Sequence, residues 1–220
     1  MRYLRPRRHG LLLAWALAWA GPVEQDLQNL LAPLIAARNE GRVGQVAGSV
    51  VLKPKTPQGS AMPLPGAVVV LVPRSPTLVS DLEQVKTKAR ESEAGYLGAV
   101  TGVTQLRERS EQALFEAGAG DLVFSGTSDA GGGFVFSRVP VGEWLLLGRH
   151  ETFHRLRVRG PSPRERKDFV LGPLPVGYRA VTYWLVPVSV AEGDVVRIDL
   201  TDRNLWLRGV AQERESLRGP

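Results

Sequence analysis

Residues 127–147 read TSDAGGGFVFSRVPVGEWLLL, and the class of fold turns on this stretch. Asp129 and the three glycines after it supply the positive-φ positions that a tight connection between antiparallel strands requires. Beyond the turn, Phe134 and Phe136 alternate onto one face of a strand that closes at Pro140. Val141-Gly142 then turns the chain into a second strand, headed by Trp144. A helix could use neither the glycine cluster nor the period of two. The stretch is strand, turn and strand, with three large rings available for an interior.

The same signals recur on both sides. In QVAGSVVLK (45–53), Val46, Gly48, Val50 and Leu52 fall on one face and Ala47, Ser49, Val51 and Lys53 on the other. A Pro- and Gly-rich loop leads to AVVVLVP (67–73), the continuous β-branched run of a buried strand, ended by Pro73 and Pro76. DLVFSGT (121–127), EWLLLGR (143–149), YRAVTYWLVPVSV (178–190) and VVRIDLT (195–201) complete the set. In the last, Val196, Ile198 and Leu200 oppose Arg197 and Asp199. About seven strands with turn signals between them predict a mainly β chain: a seven-stranded antiparallel β-sandwich over 42–203.

The pattern changes from 76 to 118, where β-branched residues thin out and charges alternate. Ser80-x-x-Glu83 has the form of a capping box. Leu82, Val85 and Ala89 make one apolar stripe, and Tyr96, Val100, Val103, Leu106 and Leu114 a second. Gly95 and Gly98 lie between them, so the expectation is a helical insertion: one helix kinked there or two joined there, ending at Gly118-Ala119-Gly120. An N-terminal helix is expected within 21–41, with Leu27, Leu30, Leu31, Leu34 and Ile35 on its packing side and Pro33 as a kink point. Residues 204–220 read as a C-terminal tail.

The first twenty residues have a separate role. Arg2, Arg5, Arg7 and Arg8 precede the apolar run LLLAWALAWA, and Ala18-Trp19-Ala20 before Gly21 has the small-x-small form of a cleavage site. This is a secretory signal peptide, 1–20, too short for the roughly 20 apolar residues of a spanning helix. The protein is expected to be secreted or periplasmic after cleavage near Ala20-Gly21, with no transmembrane segment in the mature chain. Cleavage removes four of 28 basic side chains and none of 22 acidic ones, so the net charge of +6 falls to +2. Nucleic acid is not an expected partner. With no cysteine, no disulfide supports the fold.

Gly48, Pro65-Gly66-Ala67-Val68-Val69-Val70, Thr127-Ser128-Asp129, Gly133-Phe134-Val135-Phe136 and Val139-Pro140-Val141-Gly142-Glu143-Trp144 together resemble the carboxypeptidase regulatory-like domain. That family has a transthyretin-like, or prealbumin-like, sandwich and is grouped with carbohydrate-binding-like folds. The resemblance spans roughly 43–73 and 121–201. It departs at the helical insertion and at a basic, Pro-rich connection over 155–177. It implies a non-catalytic module that needs no cofactor, and a fold of this kind does not determine activity.

His150-Glu151-Thr152-Phe153-His154 spells H-E-x-x-H, a zinc peptidase signature when it lies on a helix. Here a predicted strand runs into it and Arg155-Leu156-Arg157-Val158 alternates beyond it. On a strand the two imidazoles lie roughly 13 Å apart, at about 3.3 Å per residue, and cannot share a metal. No third ligand is evident, because His9 leaves with the signal. The basic set Arg149, Arg155, Arg157, Arg159, Arg164, Arg166, Lys167 and Arg179 suggests an anionic partner or a solvated loop. Trp144 and Trp184 fall in strand cores, whereas Trp206 is a candidate for exposure and hence for stacking on a sugar. No G-x-S-x-G elbow and no phosphate loop occurs.

These observations point to a non-enzymatic extracytoplasmic binding or structural module of the cell envelope, with an envelope protein or a glycan as partner. A carbohydrate-binding module is the alternative. A small zinc metallopeptidase through His150, Glu151 and His154 is the third reading, and it requires a helix there.

Overall fold

A computed structural model of the chain describes residues 22–52, 61–155 and 174–215. Its strands are β1 (Val43–Leu52), β2 (Met62–Pro63), β3 (Val68–Pro73), β4 (Phe124–Thr127), β5 (Gly133–Pro140), β6 (Gly142–Arg155), β7 (Leu174–Val190), β8 (Val195–Leu200) and β9 (Leu205–Glu215). Helix α1 (Pro22–Asn39) precedes them, and α2 (Pro76–Glu91) and α3 (Glu93–Glu116) lie between β3 and β4. Residues 1–20, expected to be a signal peptide, lie outside the described residues.

Two sheets form the sandwich. In one, β1 pairs with β2 and β5 antiparallel and with β8 parallel. The other is antiparallel, in the order β4-β3-β6-β7-β9. The interior between them holds Val46, Val50 and Leu200 from the first sheet and Leu71, Trp144, Leu146 and Trp184 from the second, all fully buried. Phe124 of β4 meets Phe136 of β5 at 6.2 Å and the edge of Trp144 at 5.5 Å, a tilted and edge-on cluster that suits the ring quadrupoles. Each buried indole N–H has an acceptor: Trp144 donates to the Pro140 carbonyl at 2.9 Å and Trp184 to that of Thr201 at 2.6 Å.

In the Asp129–Gly133 turn the positive φ falls on Gly132 alone, at 79°, and Asp129 acts through its side chain. The Asp129 carboxylate accepts from the backbone N–H groups of Gly131 and Gly133, each at 2.8 Å. Buried Ser128 accepts from the N–H of Ala67 at 2.9 Å and donates to the Leu64 carbonyl at 2.6 Å, tying the β4–β5 turn to the start of β3. Gly142 is the seat of α1: a Cβ there would collide with the Leu34 side chain. Asp129, Gly133, Phe134, Phe136, Pro140, Gly142 and Trp144 are thus committed to turns and core.

A third layer covers the outer face of the five-stranded sheet. Val100 of α3 packs against Gly209 of β9, and the Tyr183 hydroxyl reaches the Val100 carbonyl at 3.5 Å. Val70, Leu147 and Tyr183 would otherwise face solvent; beside α3 all are buried. Burial on both faces explains the unbroken apolar runs of β3 and β6.

The expectations differ from the structure in five respects. Nine strands are described where seven were expected, β2 and β9 being the additions. The β1–β8 pair is parallel, whereas the sandwich was expected to be antiparallel throughout. Within the expected tail 204–220, Leu205–Glu215 pair with β7 as an edge strand. The helical insertion breaks at Ser92, whose side chain caps α3 by accepting from the Gly95 N–H at 3.0 Å, so Gly95 and Gly98 lie inside that helix. Its first helix starts at Pro76, capped by Ser75, and Ser80 sits within it.

Candidate functional site

The H-E-x-x-H segment is strand, as its alternation predicts. In the β6–β7 register His150 opposes Thr182, Glu151 opposes Val181 and His154 opposes Tyr178. His154 stacks on Tyr178 with centroids 4.9 Å apart and planes at 20°. Glu151 takes Arg149 on one oxygen and Arg179, at 3.2 Å, on the other. Burial pushes the half-buried His150 imidazole below its ordinary value, the Glu151 charge acting the other way. Among the described residues no three His, Cys, Asp or Glu side chains are grouped to hold a metal ion.

Of the basic set, Arg155 is exposed at the end of β6. Arg157, Arg159, Arg164, Arg166 and Lys167 lie outside the described residues. Trp206 is not the exposed ring expected of it. It packs half-buried against the core, and its N–H donates to Glu83 of α2 at 2.6 Å. That hydrogen bond is the main reason the Glu83 carboxyl lies below its ordinary value, with partial burial opposing and Lys86 assisting.

The structure brings together a group that the sequence did not single out. Between α3 and strands β3, β6 and β7 lies a cavity of about 170 Å³, lined by Val68, Val70, Val103, Thr104, Arg107, Leu147, Gly148, Arg149 and Tyr183. Alternation puts Leu147 and Arg149 on the outer face of β6, and Val103 and Thr104, four and three residues before Arg107, share its face of α3 and line the cavity with it. Burial raises the Tyr183 phenol above its usual value, more than Arg149 and Thr104 beside it lower it. Tyr183 is therefore a protonated donor at neutral pH.

Both charged side chains in this wall are arginines. Their carboxylate partners, Glu111 for Arg107 at 3.2 Å and Glu151 for Arg149, lie outside it. Among the described residues the buried Arg149 Nε has no hydrogen-bond partner. The available sequence signal was Arg149 itself, which breaks the run WLLLG on the same alternation as Leu145 and Leu147. Arg107, Thr104 and Tyr183 carry no such mark, because their convergence depends on where α3 docks.

A different surface continues along the same sheet face. Phe153 is half-exposed, 50% accessible, and its ring lies over Gly177, where a Cβ would come within 2.5 Å. The Glu151–Arg179 pair flanks it.

No family model matches the chain, and no curated protein matches it. Among solved structures it is similar to a Pseudomonas aeruginosa protein provisionally described as carbohydrate-binding, at 15% identity and a TM-score of 0.36, over 72% of this chain and 88% of that one. A likeness at that level carries no argument about what this chain binds.

Proposed function

We propose that the chain is a non-catalytic extracytoplasmic binding module of the cell envelope that holds a small ligand between α3 and the five-stranded sheet. The carrying observation is the wall of the 170 Å³ cavity: four apolar side chains, two guanidinium groups and two hydroxyls, contributed by separate elements of the fold. Apolar walls with a few convergent polar groups are the common form of a small-molecule site. Its polar groups suit binding better than chemistry. Arginine does not act as a base, and a buried phenol raised above its usual value is a poor one.

The location rests on the basic, apolar and small-x-small segments of residues 1–20, and the module class on the resemblance to carboxypeptidase regulatory-like domains. The described helices include none long and apolar enough to cross a membrane. One observation favours glycan binding as a second reading: Phe153, laid over Gly177 beside a charged pair, offers a flat ring to a sugar face.

Backbone NMR of the purified protein against a panel of small acids, alcohols and monosaccharides tests both readings. Shifts confined to Val103, Thr104, Leu147 and Tyr183, without conversion of the ligand, support the cavity. Shifts centred on Phe153 and Arg179 favour the glycan surface. Turnover of any compound overturns the non-catalytic assignment.

A further inference from the structure

We infer that the cavity under α3 takes a small organic monocarboxylate carried on a six-membered ring; the inference rests on the binding role proposed above and specifies its ligand class. Size comes first. A cavity of about 170 Å³ is close to the roughly 150 Å³ of an engineered protein cavity that admits benzene. One ring with a single substituent fits, and a disaccharide does not.

The walls divide by chemistry. Val68, Val70, Val103 and Leu147 offer methyl groups to the flat faces of a ring. Arg107 and Arg149 supply the only charges among the lining residues, and both are positive. Each guanidinium has a carboxylate partner outside the wall, which fixes its position without filling the cavity. An acid entering here meets two fixed cations and no carboxylate of the lining, whereas an amine would meet like charge.

The neutral groups point to the same ligand. Tyr183 holds its proton, and its bond to the Val100 carbonyl is long at 3.5 Å, so the hydroxyl can turn to a better acceptor. Thr104 already donates to that carbonyl at 2.9 Å. The Arg149 Nε is a buried donor with no acceptor among the described residues. Guanidinium groups bind carboxylates through paired N–H donors, and a carboxylate that turned this fork toward the cavity would give Nε the acceptor it lacks. Inorganic anions would satisfy the donors and leave the apolar walls unused.

The test is calorimetric titration with benzoate and with benzyl alcohol, its uncharged counterpart. Benzoate is expected to bind saturably and about tenfold or more tighter than the alcohol, the scale of one charge-assisted hydrogen bond. Arg149→Met should remove that preference and leave the weak binding of the alcohol. Because Arg149 also holds Glu151, Arg107→Met is the companion variant on the opposite wall and should reduce the preference without loss of fold. Val103→Trp, which fills the space, should abolish binding of both.

Equal binding of the two probes would overturn the carboxylate inference and leave the binding role intact. Benzoate binding unchanged in Val103→Trp would put the acid elsewhere and also overturn it. If neither probe binds, the inference fails; if in addition no compound of the NMR panel shifts the cavity residues, the binding role fails with it.

Discussion

The indole N–H of Trp206 donates to the Glu83 carboxylate at 2.6 Å across 123 residues of sequence, and the Lys86 ammonium stands 5.5 Å from the centre of the same ring. One contact joins the edge strand β9 to helix α2, so the insertion is fastened at its first helix as well as through α3.

Trp206→Phe keeps the ring and removes the donor. A hydrogen bond to a charged group is worth about 1.5–3 kcal/mol when buried, but the Glu83 side chain is 48% exposed. The expected loss is therefore about 0.5 kcal/mol, in the range of exposed ion pairs. Because the folded Glu83 value is lowered, this contribution is present above the ordinary carboxyl value of 4.5 and is lost as the pH falls through the folded one. Urea unfolding at pH 7 and at successively lower pH should show a difference between variant and wild type that is full at pH 7 and shrinks as the pH falls below 4.5.

Gly48 of β1 has no room for a side chain: a Cβ would overlap the Ile198 carbonyl of β8 and come within 2.6 Å of the Phe134 ring. Backbone cannot yield as a side chain can. Gly48→Ala should cost about 2 kcal/mol or more, a value reserved for overpacking at a constrained site. Ala47→Gly, at the adjacent position, should cost less, which thermal unfolding of the pair will check.

Elemental analysis of the purified protein should find no stoichiometric zinc, because His150 and His154 are four residues apart on a strand, roughly 13 Å at 3.3 Å per residue. One zinc per chain, lost in a His150→Ala/His154→Ala variant, would restore the peptidase reading.

His150 sets a pH dependence of its own. Its folded value is lowered by burial, so the neutral form is favoured in the native state. The stability it contributes is present above the ordinary value of 6.5 and declines as the pH falls from there through the folded value. His150→Gln should flatten that part of the stability curve, read by denaturant melts between pH 7.5 and pH 5.

The sandwich was legible because its strands carry local marks: alternation in β1, β5 and β8, a glycine turn at Asp129, and unbroken apolar runs in β3 and β6. Strand β9 was not, because the apolar residues of LWLRGVAQERE come in the runs 205–207 and 210–211 without alternating, and the segment becomes a strand through pairing with β7 and cover from α3. The helix break was misplaced for a related reason. Glycines suggest a break, but Ser92 provides the cap that makes one, and α3 accommodates Gly95, Gly98 and Gly102 within its length. The cavity depends on the docking of α3 onto the sheet, a relationship between distant segments that no window of sequence contains. Trp206 was misjudged because its partner, Glu83, lies on another element.

The parallel β1–β8 pair has a consequence in time. Ser49 donates to Asp199 at 2.7 Å, and the two are 150 residues apart. The central strand of the smaller sheet therefore stays open on one side until most of the chain has been made. Long-range pairings of this kind slow folding, since the loop must close before the contact repays it. The same delay lengthens the interval in which the chain can be handled unfolded. Refolding should occupy milliseconds to seconds, with closure of β8 against β1 among its last events.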